Sequence, residues 1–512
     1  MVLIYPPVAK ISEPPPGVAI LAGALKEHNI PCKVIDANLD GMLWLAKKPS
    51  NSLNLDSSSW NRRAVKNLDN NISALKNIRV YKNIDQYRQK VIDLNRAITI
   101  APNSRFTVTL SDYTDSNLTP LKSQDLLISA SRYQENPFYQ FFETDLSPKI
   151  DAHSSDYIGI SVCYLSQALI AFALAGWIRD RFSNKKIIMG GGLITSWLSM
   201  PTWSEQFKGL IDLMVKGRGE ERLIELLAPS NFEADNKIEI QRHKPDFDFC
   251  QWTNYISPGS ILPFRTATGC YWRRCRFCPE RAEGTLYRAE SSSRLLSNLN
   301  YLVDRYNVDY IHFLDDAISP AFLNSFATQN IFSKNWYGFV RFNQEFKSQE
   351  FCKALYRSGC RLLKIGLESG DQSVLDKMEK GTDLDLASQI LKNLKDAGIG
   401  TYVYLLFGTA FEDEAAANKT LDYVTKYSDY ISFLNLAIFN LPRFSEDAAN
   451  LETELFSEGD LSLYLSFKHP NGWDRKKVRL FLDRQFKRAP AISKILKRDP
   501  PFFTSNHAMF VV

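Results

Sequence analysis

The chain has 512 residues, of which 45% are hydrophobic and 23% charged, a composition typical of a globular protein with roughly three domains. Its net charge of +5 is weak for this size, and the basic residues are dispersed apart from residues 475–497, so charge gives no reason to expect nucleic-acid binding. The eight cysteines, the absence of a signal-peptide pattern and the absence of an apolar run of about 20 residues favour a cytoplasmic protein without a transmembrane segment.

The N-terminal part alternates short apolar strands with helical patterns. Glycine turns follow its later strands, which is typical of an open, doubly wound parallel sheet whose ligand crevice lies at the C-terminal strand ends. We therefore predict a Rossmann-like domain over residues 1–230, with a polar, mainly helical insertion at about 47–146 and a linker at 231–261. The predicted strands are residues 2–5, 32–36, 157–162, 186–189 and 213–215.

A second alternation of strands and helices begins at residue 262. Six strands suit a partial (β/α)6, TIM-like barrel over residues 262–440, whose active site would lie at the C-terminal mouth. Residues 441–512 are predicted to be a small, mainly helical region that forms a lid or substrate pocket, or only a packing tail. The predicted barrel strands are 263–267, 310–314, 336–340, 362–367, 401–406 and 431–436. Polar or metal-binding residue types follow these strands: Cys270, Asp315, Asp316, Arg341, Glu368, Ser369 and Thr409.

Cys270, Cys275 and Cys278 follow the first barrel strand in a C-x4-C-x2-C pattern. Three thiolates on one short loop can hold three irons of a 4Fe-4S cluster and leave the fourth iron open. A structural zinc site would need a fourth ligand, and the nearest candidate, Cys250, belongs to a different segment. Unrelated cysteines are a further alternative. The glycine before the first cysteine, the aromatic residue before the last and the proline after it favour the iron–sulfur interpretation.

With these features the chain resembles radical S-adenosylmethionine (SAM) enzymes that carry an N-terminal cobalamin-binding domain. The resemblance covers residues 1 to about 440, although the superfamily loop is usually C-x3-C-x2-C, one residue shorter. It implies that Phe277 packs on the SAM adenine. An arginine at the end of a strand, Arg341, would pair with the SAM carboxylate, with a substrate anion or with a structural acid. Further SAM contacts implied are Asp315, Asp316, Glu368, Ser369, Tyr404 and Gly408.

The same resemblance implies that cobalamin binds the first sheet. The usual Asp-x-His-x-x-Gly signature is absent, and the segment around His153 imitates it only in part, because it lacks the glycine and precedes a strand. We expect His153 to be a loop histidine and the lower face of the cobalt to be open or near another side chain; an empty domain is the alternative. The implied cobalamin contacts are Pro7, Ser161, Tyr164, Gln167, Gly190, Gly191, Gly192, Gly217, Gly219 and Glu220.

The resemblance implies a class B methyltransferase that moves a methyl group from SAM, via methylcobalamin, to an unactivated carbon, with a phosphinate phosphorus as the alternative acceptor. It implies a small-molecule or peptide substrate of unknown identity, an electron donor such as flavodoxin or ferredoxin, and a monomer. Non-methylating rearrangement, cyclisation or oxidation by a radical SAM enzyme is one alternative, and a non-enzymatic metal-binding module is another. A methylthiotransferase would need three cysteines in its N-terminal domain, where only Cys32 and Cys163 are present. No residue is assigned to proton transfer.

Overall fold

The computed structural model describes residues 1–48, 58–100, 104–228, 243–329, 334–455, 459–501 and 507–512. The chain forms two compact units, one built mainly of Met1–Ser260 and the other mainly of the residues from Ile261 onward. No described helix is both long and apolar enough to cross a membrane.

The first unit contains a five-stranded parallel sheet in the order β2-β1-β3-β4-β5. This is the order of a doubly wound sheet, in which the strand order proceeds first to one side of β1 and then, from β3 onward, to the other, and ligands bind at the C-terminal ends of β1 and β3. The predicted Rossmann-like fold is therefore confirmed. The strands are β1 (Val2–Ile4), β2 (Lys33–Ile35), β3 (Tyr157–Ser161), β4 (Lys186–Gly190) and β5 (Leu213–Met214).

Four helices accompany these strands. The second of them is buried along its apolar stretch, where every residue from Ala168 to Ala175 is at most 2% exposed. It packs closely on the helix Ser123–Ser131, because a Cβ added at Gly176 would lie 2.0 Å from the carbonyl oxygen of Ala130. Only glycine allows this approach. The helices are α1 (Pro16–Glu27), α2 (Leu165–Arg181), α3 (Gly192–Leu198) and α4 (Glu220–Leu227).

The predicted insertion at residues 47–146 is mainly helical where it is described. It also contains a two-stranded antiparallel hairpin, Phe106–Val108 with Tyr113–Asp115, which the sequence analysis did not predict. Residues 243–260 of the predicted linker belong to the first unit, and Ile261 begins the second. The longer helices near and within the insertion are Ala37–Lys47, Ser59–Lys66, Leu68–Leu75, Ile84–Ile100 and Ser123–Ser131.

The second unit contains six parallel strands that pair in consecutive chain order, as predicted for the partial barrel. The strands are β6 (Ile261–Phe264), β7 (Tyr310–Phe313), β8 (Asn335–Val340), β9 (Cys360–Glu368), β10 (Gly400–Phe407) and β11 (Phe433–Ile438). The helices that connect them are α5 (Ser292–Tyr306), α6 (Pro320–Gln329), α7 (Gln349–Arg357), α8 (Leu384–Asp396) and α9 (Glu414–Lys426).

The C-terminal region contains the predicted helices, at Glu446–Asn450, Arg475–Arg484 and Pro490–Leu496. It also contains a three-stranded antiparallel sheet that the sequence analysis did not predict. Its strands, Leu441–Pro442, Tyr464–Phe467 and Thr453–Leu455, are too short for a period-two pattern to be recognised.

Candidate active site

The cysteine loop leaves the barrel directly after β6. The short strand Ala267–Thr268 pairs antiparallel with Arg288–Ala289, so the residues between them form one excursion at the barrel mouth. Gly269 opens this excursion with a φ of +67°, and a Cβ there would lie 3.0 Å from the carbonyl oxygen of Leu286. The glycine before the first cysteine is therefore required by the backbone.

All three cysteines of this loop carry free thiols. Cys275 is buried, whereas Cys270 and Cys278 are half-buried, and burial raises the pKa of the Cys278 thiol to about 11. Nowhere in the described ranges are three or more His, Cys, Asp and Glu side chains already arranged around one point as metal ligands. As a donor set, three thiols fit an iron–sulfur cluster.

Arg341, which follows β8, provides a cation next to the cysteines. Its Nη1 lies 3.6 Å from the Sγ of Cys275, and its Nη2 donates to the carbonyl oxygen of Lys380. Its guanidinium also lies 4.6 Å from the ring centre of Trp272. With only 8% of the residue exposed, this positive charge is buried beside the loop.

Glu368 ends β9 and forms a nearly buried ion pair. Lys380 Nζ donates to Glu368 Oε1 at 2.8 Å, with 7% and 12% of the two side chains exposed. Glu368 has a φ of +67°, which is uncommon for a residue other than glycine. Gly366 makes room for the pair, because a Cβ there would lie 2.2 Å from Glu368 Oε1 and 2.7 Å from Lys380 Nζ.

The two consecutive aspartates after β7 have different environments. Asp315 is 2% exposed, and its carboxylate accepts hydrogen bonds from the backbone and hydroxyl of Thr266 and from the backbone of Ala267. It thereby fixes the segment that leads into the cysteine loop. Asp316 is exposed. The pKa of its carboxyl group is nevertheless raised, mainly because neighbouring protein atoms displace water from it and secondly because of the negative charge of Glu280.

The remaining predicted SAM contacts lie around the same mouth or just inside the barrel. Phe277 packs against an apolar cluster on and near the helix Gln372–Lys377, and its ring centre lies 5.5 Å from Lys380 Nζ. Ser369 is buried and accepts a hydrogen bond from Asp371 N. Tyr404 lies within β10, one strand away from Gly366, and Gly408 follows β10 with a φ of +79°.

Sequence reasoning did not identify Lys380 or Trp272 as site residues. Lys380 lies after a helix, 12 positions beyond Glu368, and no spacing rule links the two. The indole of Trp272 packs on Gly381, where a Cβ would lie 2.1 Å from Trp272 Cζ2. The sequence offers one weak signal for this contact, the glycine at position 381. In the structure this glycine has a positive φ, a conformation that favours glycine.

In the first unit, the predicted cobalamin contacts gather at the C-terminal edge of the sheet. Pro7 follows β1, and Ser161 ends β3 with its Oγ 3.9 Å from Cys163 Sγ. Gln167 is fully buried, and its side chain accepts from Cys163 N and donates to the carbonyl oxygen of Pro6, so it ties the two strand ends together. Tyr164 is 56% exposed at the same edge.

Two glycines of this edge, Gly192 and Gly217, leave the backbone accessible, whereas Gly191 allows a close contact. Gly190 ends β4, and Gly191 has a φ of +110° with its Cβ position 2.4 Å from the carbonyl oxygen of Val162. A Cβ at Gly192 would meet no described atom closer than 3.8 Å, and one at Gly217 none within 4 Å. Such an edge fits a cofactor that lies against backbone. Nearby, Gly219 precedes α4 and Glu220 forms an ion pair with Arg218 at 3.0 Å.

His153 precedes β3 and so lies at the N-terminal edge of the sheet, opposite the crevice. Its Nδ1 accepts a hydrogen bond from Ser155 N at 3.3 Å. This position agrees with the expectation that His153 is a loop histidine.

Fold and site together define a radical SAM domain joined to a Rossmann-like unit. Residues 265–424 match the sequence model of the Radical SAM superfamily. This segment contains the cysteine loop and the barrel strands β7 to β10, so the chain carries a radical SAM domain.

Two curated relatives support this assignment at low identity. The first is an uncharacterized methyltransferase, PH0819, of Pyrococcus horikoshii, 22% identical over 326 residues that cover 57% of this chain and 68% of the relative. The second is an anaerobic magnesium-protoporphyrin IX monomethyl ester cyclase of Cereibacter sphaeroides, 23% identical over 248 residues that cover 41% of this chain and 40% of the relative. The match thus spans less than half of the second relative.

Among solved structures, the fold is similar to that of TsrM from Kitasatospora setae, a radical SAM methyltransferase with cobalamin and a 4Fe-4S cluster bound. The TM-score is 0.51 at 14% sequence identity, and the match covers 88% of this chain and 74% of TsrM. The similarity extends over both units, so the two-unit fold resembles that of a cobalamin-dependent radical SAM enzyme.

Proposed function

We propose that this protein is a cobalamin-dependent radical SAM methyltransferase of class B that moves a methyl group from SAM to an unactivated carbon. The observation that carries the proposal is the C-x4-C-x2-C loop at the mouth of a six-stranded parallel barrel, in a chain that begins with a 2-1-3-4-5 sheet. The similarity of the whole fold to that of TsrM supports the proposal.

In this proposal Cys270, Cys275 and Cys278 would hold the cluster. The bound cofactors supply reductive cleavage of SAM and transfer of a methyl group through cobalt. Beside these cysteines the chain places a positive charge, the guanidinium of Arg341, whose Nη1 lies 3.6 Å from the Cys275 sulfur. Such a donor stabilises negative charge on the sulfur atoms and tunes the reduction potential of a cluster.

Three features of the mouth would bind SAM. Phe277 offers an apolar ring for the adenine, and Glu368, fixed by Lys380, offers a carboxylate for ribose hydroxyls or the ammonium group. Asp316 is exposed where a second such contact can form. Asp315 would act indirectly, because its carboxylate is already bound to the backbone that leads into the cysteine loop.

Cobalamin would lie at the C-terminal edge of the first sheet. The open backbone at Gly192 and Gly217 and the exposed Tyr164 provide surface for it. Gln167 would position this edge rather than touch the cofactor, since both ends of its amide bind backbone groups.

The test is anaerobic purification followed by analysis of iron, sulfide and cobalamin, and by a dithionite-driven assay for 5′-deoxyadenosine and for methylated product. Cys275→Ala should lower iron and sulfide and abolish SAM cleavage. Cys352→Ala, which removes a buried thiol from helix α7, is the matched control and should retain both. Zinc without iron in the wild type, or equal iron in the two variants, would contradict the proposal.

A second candidate is a radical SAM cyclase that does not methylate, and the similarity to the Cereibacter sphaeroides cyclase favours it. Product mass separates the two, because a methyltransferase adds one carbon to its substrate in each turnover and a cyclase adds none.

A further inference from the structure

Two adjacent arginines of the cysteine loop, Arg273 and Arg274, are exposed to solvent. Neither forms an ion pair with any residue in the described ranges. The other two arginines nearby are compensated: Arg276 pairs with Asp447, and Arg281 pairs with Glu379 and Glu446. The uncompensated positive charge of the loop is therefore concentrated immediately before Cys275.

A short series of contacts connects this exposed charge with the buried cysteine. The guanidinium carbon of Arg274 lies 5.1 Å from the ring centre of Trp272, and that of Arg341 lies 4.6 Å from the same ring. Arg341 Nη1 in turn lies 3.6 Å from Cys275 Sγ. One indole and one guanidinium thus separate the exposed arginine from the proposed cluster ligand.

The backbone of the loop also marks this position. Arg273 has a φ of +51°, a conformation that residues other than glycine adopt rarely. Residues held in such conformations concentrate at functional sites. The conformation lies within the four residues that separate Cys270 from Cys275.

We infer that Arg273 and Arg274 form the docking surface for an acidic protein that carries one electron. The inference rests on the proposed function, because each SAM cleavage consumes one electron. The reduced carrier would lose that electron, a cluster held by the three cysteines would accept it, and its transfer to SAM would break a carbon–sulfur bond to give methionine and the 5′-deoxyadenosyl radical.

The chemistry of the surface selects this kind of partner. Opposite charge at an exposed surface accelerates association and orients the partner, and the effect weakens as salt screens it. Both arginines are solvent-exposed instead of being enclosed around a small anion, which suits the acidic rim of a protein. A carrier docked there would approach the chain within a few side chains of Cys275.

The experiment compares two double variants with equal changes in net charge. Arg273→Glu/Arg274→Glu reverses the proposed surface, and Lys392→Glu/Lys395→Glu reverses two exposed lysines on helix α8 as the matched control. Binding of purified flavodoxin and ferredoxin to the anaerobically reconstituted protein is measured at about 0.05 M and about 0.5 M salt. Formation of 5′-deoxyadenosine is measured separately with the reduced carrier and with dithionite.

We expect Arg273→Glu/Arg274→Glu to slow carrier association about tenfold or more at low salt. The difference should nearly vanish at high salt, and dithionite-driven cleavage should stay within about twofold of the wild type, since the small reductant does not need the surface. Arg273→Gln/Arg274→Gln should give an intermediate loss of binding, and the control should bind the carrier like the wild type.

Unchanged binding in the reversed variant, an equal loss in the lysine control, or an equal loss of dithionite-driven cleavage would overturn the inference. Failure of the proposed function has a different signature: the wild type would produce no 5′-deoxyadenosine with dithionite. Binding of the carrier is measured independently of that assay, so the two failures are distinguishable.

Discussion

Glu412, in the turn after β10, carries a buried carboxyl group that is only partly hydrogen-bonded. Its Oε2 accepts from Gly408 N and, at 3.0 Å, from Trp473 Nε1, whereas Oε1 has no hydrogen-bond partner in the described part of the chain. Burial raises the pKa of this carboxyl group from 4.5 to about 7, and the two donors only partly oppose the shift. The folded protein therefore prefers Glu412 in its neutral form.

This preference makes stability depend on pH with a defined sign. Because the folded pKa exceeds the unfolded one, the contribution is fully present below about pH 4.5 and is lost as the pH rises through about 7. A folded pKa of about 7 against 4.5 in the unfolded chain corresponds to about 3 kcal/mol of unfolding free energy. Glu412→Gln keeps an acceptor for both donors and stays neutral, so its stability relative to the wild type should rise by about 2 to 3 kcal/mol between pH 5 and pH 8.5.

Thermal unfolding of both proteins at pH 5 and pH 8.5 measures this change. For a unit of about 200 residues, the expected gain of the variant at pH 8.5 is roughly 5 to 10 °C in the Tm of the barrel transition. Glu414→Gln, an exposed carboxylate two residues further on, is the control and should change little with pH. A Tm difference between wild type and Glu412→Gln that is constant with pH, or that grows toward acid, would refute the reasoning.

Three further substitutions test individual contacts, two beside the candidate site and one between two helices of the first unit. Asp315→Asn should destabilise the barrel by about 1 to 3 kcal/mol, because an amide cannot accept every hydrogen bond that the Thr266 segment donates; Tm measures this loss. Gly176→Ala should cost about 1 to 3 kcal/mol by forcing α2 away from its neighbouring helix, measured by denaturant unfolding. Lys380→Met should cost about 3 kcal/mol because it leaves the Glu368 carboxylate nearly buried and unpaired, and it should weaken SAM binding measured by calorimetry.

Matched controls separate these effects from general damage. Asp316→Asn changes the exposed neighbour of Asp315 and should leave Tm nearly unchanged. Gly17→Ala adds a Cβ that meets no described atom closer than 3.9 Å, and Lys377→Met changes an exposed lysine. If any control loses as much stability as its partner variant, the proposed contact is not the cause of the loss.

The sequence predicts the barrel well because its strands are long and apolar. For example, the prediction of residues 362–367 lies within β9, Cys360–Glu368, where six of the nine residues are buried. The three-stranded sheet of the C-terminal region was missed for the opposite reason. Its strands have two to four residues and take their partners from distant positions, so no local pattern identifies them.

From the sequence, the site could be predicted by one rule only: polar residues at the C-terminal ends of parallel barrel strands lie together at the mouth of the barrel. That rule predicts the same role, a ligand contact at the mouth, for Asp315 and Asp316. The side chains of consecutive residues in an extended chain, however, point in opposite directions. One therefore turns inward to bind the backbone after β6, while the other is exposed. Lys380 reaches Glu368 only because the turn after the helix Gln372–Lys377 returns it to the mouth, which no sequence spacing reveals.

Arg341 shows what the structure adds to an ambiguous residue. From the sequence it was equally suited to bind the SAM carboxylate, a substrate anion or a structural acid. In the fold its Nη2 donates to the carbonyl oxygen of Lys380, its Nη1 faces the Cys275 sulfur and its plane packs near Trp272, so the guanidinium is already engaged by the cysteine loop and the Lys380 turn. Because the same turn holds the lysine that fixes Glu368, the cation beside the cysteines and the carboxylate at the mouth are positioned by one set of contacts. A change at Arg341 should therefore disturb both.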